Sequence, residues 1–510
     1  MNEFISSSSI LSRTLIVGLG ETGSAAARWC ARNEVPLRIA DTRSEPAGLV
    51  ALKEALGDAS VEFYLGCDVF PIDLLEGVDR LVLSPGLAPG MSPVKELLEE
   101  ARAANIEVIG EIELFARALK QLNIAQNYSP RVIGITGTNG KTTVTAWVRL
   151  MLQTAGIHAR VAGNISPAAL HALMEAMDQH ELPDVWVLEL SSFQLETTST
   201  LSMQAAAVLN VTQDHLDWHG DMESYAHAKA RIFTMSDICL VNRDDARVMA
   251  MIENINALNV RSFGRDQPML SGDVGMETSH DVHWFVSAEL NVFEDEVVQP
   301  VRRKKGTPAP VRQPGRLVRL MPVDALTVRG MHNALNCQVA MLLARVAGAS
   351  WSPMLRAAHD YVGEPHRMAF VRSVRGVDFF NDSKGTNVGA TVAGLEGLGR
   401  RLVLIAGGVG KGQDFSPLVP VVKQHAKAVV LIGQDAPIIL DTLVQTGVPC
   451  LPAADMRQAV KTAFEQAVEG DAIVLSPACA SLDMFRNYPH RGQVFIDEVT
   501  ELALDLGEVA

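Results

Sequence analysis

Paired cysteines are missing from this chain. Its six thiols, Cys30, Cys67, Cys239, Cys337, Cys450 and Cys479, are dispersed with no C-x-x-C pair. That spacing speaks against a zinc knuckle or a disulfide framework and fits reduced thiols. Cys479 lies inside a motif described below and reads as a small buried apolar residue. Long apolar runs are also missing, so no membrane-spanning helix is expected. The stretch Met1-Asn-Glu-Phe-Ile-Ser-Ser-Ser-Ser9 has no basic segment ahead of an apolar core. No signal peptide is therefore expected, and the default location is the cytoplasm. Positive charge is short: 44 Lys and Arg stand against 59 Asp and Glu, a net charge of −15. No nucleic-acid-binding surface is expected from that balance, and an anionic ligand would have to be met by local features. No internal repeat is evident.

What is present is a packed, multi-domain pattern. With 510 residues, 48% of them hydrophobic and 20% charged, the chain exceeds one core and calls for about two to four domains. Strand-like apolar runs alternate with helical periodicity, which points to an α/β architecture with parallel sheets. Expected strands are Thr14–Gly18, Leu37–Asp41 and Leu81–Leu83, then Val185–Leu190 and Ala207–Thr212. Three more follow at Leu402–Gly408, Ala428–Gly433 and Ala472–Pro477. The spacing divides the chain into units over 1–110, 111–363 and 364–510. Residues 265–325 read as short amphipathic strands around a basic, proline-rich insertion near 300–318, with Arg302-Arg-Lys-Lys-Gly-Thr-Pro-Ala-Pro310 as an exposed loop.

The most informative segment is Val132-Ile-Gly-Ile-Thr-Gly-Thr-Asn-Gly-Lys141-Thr142-Thr143. A buried strand ends in a glycine turn and a helix follows, with Val144, Trp147, Val148 and Met151 at i, i+3, i+4, i+7 and Gly156 as its stop. Such a loop can cradle a polyphosphate with backbone N–H groups and the helix N-terminus. Gly137, Thr138, Asn139 and Gly140 would form the cradle, Lys141 would reach the terminal phosphates, and the Thr142 hydroxyl would ligate magnesium. The glycine spacing departs from the common P-loop, since the first glycine would fall on Ile135.

A second glycine loop, Gly18-x-Gly20-Glu21-Thr22-Gly23, is followed by Asp41 at the end of the next strand. Alone it satisfies a dinucleotide fingerprint and suggests an NAD-dependent oxidoreductase. The stronger phosphate loop downstream argues instead for one nucleotide-like ligand per loop, with Asp41-Thr42-Arg43 able to meet a base or phosphate. Glu189 ends an apolar strand, where a buried acid is costly unless paired or bound to metal. Asn210-Val-Thr-Gln-Asp214-His215-Leu-Asp217 crowds imidazole and carboxylates at another strand end, so His215 is a candidate second metal ligand. Asn381-Asp382-Ser383-Lys384-Gly-Thr386-Asn387, Gly407-Gly-Val-Gly-Lys411 and Ser476-Pro-Ala-Cys-Ala-Ser481 gather hydroxyls and ammonium groups at strand ends. They suit a small carboxylate substrate.

Taken together, these motifs resemble the Mur ligase family, ATP-dependent amide-forming enzymes of peptidoglycan precursor synthesis. The resemblance covers essentially the whole chain. It rests on Thr136–Thr143, Leu188–Thr197, Asn381–Asn387 and Leu475–Phe485. It implies a Rossmann-like N-terminal domain for the UDP-substrate, a central P-loop-type ATP-binding parallel-sheet domain, and a Rossmann-like C-terminal domain for the amino acid. The implied activity joins D-glutamate to UDP-N-acetylmuramoyl-L-alanine (UDP-MurNAc-L-Ala) through an acyl phosphate, releasing ADP and phosphate, in a cytoplasmic monomer. ATP is then a co-substrate and two Mg2+ ions are cofactors, held by Thr142, Glu189, His215 and Lys229. Lys229 resembles the family's carbamylated lysine, a CO2 adduct that turns an ammonium into a carboxylate. ATP contacts are implied at residues 137–143, Asn333, Asn336, Arg367, Asp382 and Lys384. The UDP-substrate is implied at Gly20, Glu21, Thr22, Gly23, Asp41, Thr42, Arg43, Asn164, Ser191 and Gln194, and D-glutamate at Thr386, Lys411, Ser481 and Tyr488. Tyr488 and Gly385 stand where the family pattern expects Phe and often Ala, and the basic insertion has no counterpart in it. The alternatives are another Mur ligase adding L-alanine, a folylpolyglutamate synthase-like ligase, the oxidoreductase, and a non-catalytic nucleotide switch.

Overall fold

The computed structural model describes residues 13–290 and 312–508. The basic loop Arg302–Pro310 and the stretch Met1–Ser9 lie outside them. The first sheet has five parallel strands in the order Val61–Leu65, Leu37–Asp41, Arg13–Val17, Val78–Leu83, Glu107–Ile109. The two outermost strands were not expected. Val61-Glu-Phe-Tyr-Leu65 is only partly buried and Glu107–Ile109 has three residues, so neither carries the long apolar run of a central strand. The first glycine loop is fixed by close approach. A Cβ on Gly23 would lie 2.0 Å from the Gly18 carbonyl oxygen, and the Ser84 hydroxyl donates to that oxygen at 2.7 Å.

The central sheet has six parallel strands in the order Val260–Phe263, Ser236–Asn242, Met203–Val208, Arg131–Thr136, Val185–Glu189, Ala159–Gly163. The strand expected over Ala207–Thr212 runs instead from Met203 to Val208. Leu209 and Val211 are buried as expected, but their segment curls under the phosphate loop, where Leu209 N donates to Thr136 O at 2.9 Å. Burial and strand geometry part company there. The helix Lys141–Thr154 buries Val144, Trp147, Val148 and Met151 completely, and Trp147 stacks on Tyr361 at 4.4 Å. Beside this sheet, Val274–Ser279, Val282–Glu289 and Arg316–Pro322 form an antiparallel three-stranded sheet, in line with the amphipathic strands expected over 265–325.

The last sheet orders Ala369–Val374, Val377–Asn381, Ala472–Leu475, Leu402–Gly407, Ala426–Ile432 and Cys450–Pro452, antiparallel only at its first pair. Its three longest apolar runs are the three strands read from the sequence. The first two units share an apolar core, in which helix Glu21–Arg32 packs on Ala169–Asp178 and Glu111–Gln126. The third unit has cores of its own. Among the described residues, no helix is long and apolar enough to cross a membrane.

The third unit meets the central one at His332, on helix Met331–Val346. A Cβ on Gly330 would lie 2.7 Å from the His332 ring and one on Gly397 2.8 Å, so glycine on both sides makes room for it. Burial, with the Arg367 charge nearby, pushes the imidazole pKa down to about 4. An unfolded histidine protonates near ~6.5. The neutral ring therefore contributes stability that is complete above that pH and is lost as pH falls towards 4. In an NMR titration the His332 ring should show a midpoint near 4; a midpoint like that of an exposed histidine would contradict this packing.

Candidate active site

The phosphate loop leaves strand Arg131–Thr136 at Gly137 (φ +152°) and enters its helix at Gly140 (φ +87°). Both glycines are required by space. A Cβ on Gly137 would lie 2.9 Å from Leu209 Cβ, and one on Gly140 2.5 Å from Asn336 Oδ1. Asn210 holds the loop from below: its Oδ1 accepts from Asn139 N at 2.8 Å and its Nδ2 donates to Asn139 O at 3.1 Å. Thr138 Oγ1 donates to Thr212 O at 3.1 Å and lies 3.2 Å from the Tyr225 hydroxyl. Lys141 Nζ donates to Gly137 O at 2.8 Å and Thr138 O at 2.9 Å. Lys229 Nζ reaches the same Gly137 oxygen at 3.1 Å and stands 4.5 Å over the Tyr225 ring. Burial pulls both amines below their usual pKa. Lys229 falls well below, with Lys141's charge adding; for Lys141, Glu189 and Asp214 oppose the shift.

Glu189 sits at the end of its strand and is 2% exposed. Its Oε1 accepts from Asn164 Nδ2 at 3.0 Å, while Oε2 has no hydrogen-bond partner among the described residues. An orphaned buried carboxylate oxygen in the same cleft as the Thr142 hydroxyl fits a hard cation. His215, in a left-handed conformation (φ +55°), lies 3.6 Å from Asp214 and edge-on to Phe193. Burial pushes its pKa down to about 4, leaving the neutral ring that a metal ligand must present. Among the described residues no three His, Cys, Asp or Glu side chains form a metal cluster. A magnesium ion here would take its remaining oxygens from phosphate, Thr142 and water.

The third unit closes over this loop, leaving a cleft of about 530 Å3. One wall holds Thr138–Thr142, Asn164, Glu189 and His215; the other holds Arg367, Lys384, Thr386, Asn387 and Tyr488. Lys384 Nζ donates to Thr142 Oγ1 at 3.1 Å and lies over the Tyr488 ring. Burial, with Arg367 nearby, lowers its pKa to about 8. Arg367 makes no ion pair among the described residues, and its buried Nε has no partner. The cleft therefore shows cationic donors in want of an anion.

Other expected residues stand behind this wall or away from it. Asn336 packs on Gly140, and Asn333 Nδ2 donates to Arg329 O. Asp382 is buried beneath the loop, accepting from Ser476 Oγ at 2.6 Å, and burial raises its pKa to about 6. Ser191 and Gln194 form the capping box of the short helix Ser192–Glu196, so their polar groups are used locally. Lys411 and Ser481 sit on two loops joined by the bridge Val409–Ala480 and do not line the cleft. Lys411's charge nevertheless bears on His215. At the first glycine loop, Asp41 accepts from Leu19 N at 2.6 Å and from Arg43 Nε and Nη2 at 2.8 Å. Burial alone would raise its pKa, but these hydrogen bonds hold it below the usual value. Glu21 Oε1 accepts from Ser166 Oγ at 2.9 Å and Ala168 N at 3.0 Å, and Ser166 lines the cleft. Thr22 lies on the same turn. Gly20 has open space around it.

Sequence reasoning missed Arg491. Its buried guanidinium donates to Ser383 Oγ, Ser383 O and Cys479 O, tying two of the motif loops together. It also missed Tyr225 beneath Lys229 and the pairing of Asn139 with Asn387. An arginine inside a helix carries no signal of a contact so distant in sequence.

Three family models match the chain: a MurD-like N-terminal domain over residues 12–110, a Mur ligase middle domain over 135–344, and a Mur ligase glutamate ligase domain over 366–479. The chain is 65% identical to the UDP-N-acetylmuramoylalanine–D-glutamate ligase of Bordetella bronchiseptica, covering 97% of each. With the ligase of the same name from Bordetella avium it shares 62% over all of both chains, and with that of Ralstonia nicotianae 53% over 97% of each. Among solved structures it shares its fold with the UDP-N-acetylmuramate–alanine ligase of Thermotoga maritima (TM-score 0.56, 16% identity, 96% of this chain and 99% of that one). The MurF ligase of the same organism in complex with ADP gives a TM-score of 0.55 at 15% identity over 83% and 96%. The strand order, the phosphate loop and these similarities agree, and the chain belongs to the Mur ligase family.

Proposed function

We propose that this protein is an ATP-dependent ligase that joins D-glutamate to UDP-MurNAc-L-Ala, releasing ADP and phosphate, as a step in peptidoglycan precursor synthesis. The observation that carries the reading is the 65% identity, across 97% of both chains, to a ligase named for that reaction. The cleft supplies matching chemistry: a phosphate loop on one wall and unpaired cations on the other.

In this reading ATP lies along Gly137–Thr143 with Lys141 at its γ-phosphate. Arg367 and Lys384 approach the phosphates from the third unit, Asn333 and Asn336 shape the loop from behind, and Asp382 holds the 381–387 turn from beneath. The L-alanyl carboxylate attacks the γ-phosphoryl group. A new carboxyl–phosphate bond forms as the bond to ADP breaks. The amine of D-glutamate then attacks the acyl carbon, and phosphate leaves as the amide forms. Lys141 offsets the charge that builds on the transferring group. Thr142, Glu189 and His215, with Lys229 as a carbamate, are the residues that would hold two magnesium ions. When bound, these ions supply charge neutralisation and phosphate orientation. Burial favours the neutral Lys229 amine, the form that can add CO2 with loss of a proton.

The UDP-linked substrate is assigned to the first glycine loop and to Asn164. There Arg43, 53% exposed, presents the donors, and Asp41, 3% exposed, holds it in place. With both of its oxygens committed, Asp41 lacks the freedom to bind a dinucleotide ribose, which weighs against the oxidoreductase alternative. Thr22 completes that turn. Ser191 and Gln194 act indirectly in this scheme, by setting the turn after Glu189. D-glutamate is assigned to Thr386, Lys411, Ser481 and Tyr488. The protein works in the cytoplasm as a monomer, where ATP and nucleotide-linked precursors are at hand.

Phosphate release with UDP-MurNAc-L-Ala should require D-glutamate and fail with L-alanine, L-glutamate or diaminopimelate. Turnover with L-alanine instead would overturn the substrate assignment. Lys141→Ala should lower kcat by at least about a hundredfold, and near-normal turnover would remove Lys141 from the mechanism. Lys229→Ala should recover part of its lost activity in the presence of formate or acetate. No recovery at any concentration would count against the carbamate.

A further inference from the structure

The central and third units touch through a compact polar contact at the rim of the phosphate loop. Asn139 Nδ2 donates to Asn387 Oδ1 at 3.1 Å, and Asn387 Nδ2 donates back to Asn139 Oδ1 at 3.0 Å. The same Asn387 amide donates to Asp214 Oδ2 at 3.1 Å. Two carboxamides paired in this reciprocal way are each other's best partner, and no water need enter between them. Asn139 and Asn387 lie on different units, so the pair exists only when the units are closed. The neighbourhood is built for close approach. A Cβ on Gly389 would lie 3.1 Å from Thr212 Oγ1 and 3.4 Å from Asn139 Nδ2, so any side chain there would press on the same contact.

Both residues are also held from behind, Asn387 through the same Oδ1 that accepts from Asn139. The Asn139 main chain is fixed on both sides by Asn210. Asn387 Oδ1 accepts from Ala390 N at 2.9 Å and so caps the helix Val388–Leu398. A rigid loop on one unit thus meets a rigid helix start on the other. Across the same joint Lys384 Nζ donates to Thr142 Oγ1 at 3.1 Å.

We propose that Asn139 and Asn387 are positioning residues that form a clasp, locking the third unit onto the ATP loop in the register that brings Lys384 and Arg367 to the phosphates. This deepens the ligase reading and rests on it for its kinetic consequence. Its structural consequence stands alone: removing the clasp should open the protein.

Asn139→Ala removes only side-chain contacts of the clasp and a long contact to Thr212. Asn387→Ser keeps a helix-capping oxygen while losing both donated bonds. In the full-length protein each single variant should lower kcat about tenfold, and the double variant should fall no further, because either change alone already breaks the clasp. The KM for UDP-MurNAc-L-Ala, assigned to the first two units, should stay within about twofold. Losses that multiply in the double variant, or single variants with normal kcat, would overturn the clasp. The second arm is small-angle scattering of the protein with magnesium and a non-hydrolysable ATP analogue, in which both variants should show a larger radius of gyration than the wild type. Superimposable curves would overturn the proposal whatever the enzyme's substrates. A wild type that releases no phosphate with D-glutamate would instead sink the ligase reading, leaving scattering to decide the clasp.

Discussion

One carbonyl oxygen, that of Gly137, accepts from two buried ammonium groups, Lys141 and Lys229. Much of the site follows from that crowding. Two like charges in a dry place are mutually unfavourable, and burial favours their neutral forms. The surroundings offer partial compensation through Glu189 and Asp214, and Glu189 keeps one oxygen without a partner. In the proposed reaction a polyphosphate and a cation would balance this arrangement.

The same logic explains the difference between the two joints of the molecule. The first and central units share an apolar core, which holds their relation firmly. The third unit brings separate cores and meets the phosphate loop through side-chain amides and a lysine. Polar contacts of this kind exchange readily with water, so this joint can open for nucleotide and close for chemistry. The cations that complete the cleft ride on the movable side.

Much of this was legible in the sequence because it is local. The apolar periodicity around Trp147, the strand ending at Glu189 and the glycines of both loops each leave a signature within about a dozen residues. The edge strands Val61–Leu65 and Glu107–Ile109 were illegible because partial burial removes the apolar run that marks a central strand. Leu209 and Val211 misled for the opposite reason, being buried beyond the end of their strand. At the site, residue types were readable but partners were not. Asp41 holds Arg43, Ser191 and Gln194 cap a helix, and Arg491 binds two loops together. Each of these is a contact that only the folded chain reveals. The identities of D-glutamate and the muramyl sugar came from family resemblance, since no side chain here declares a stereocentre.

The central claim is that the cleft activates a carboxylate as an acyl phosphate. It is tested most directly by following oxygen. UDP-MurNAc-L-Ala labelled with 18O in its alanyl carboxylate is incubated with ATP, magnesium and D-glutamate, and the released phosphate is analysed by mass spectrometry. Transfer of one labelled oxygen per turnover from fully labelled carboxylate into phosphate is the expected result. Unlabelled phosphate accompanying normal amide formation would contradict the account.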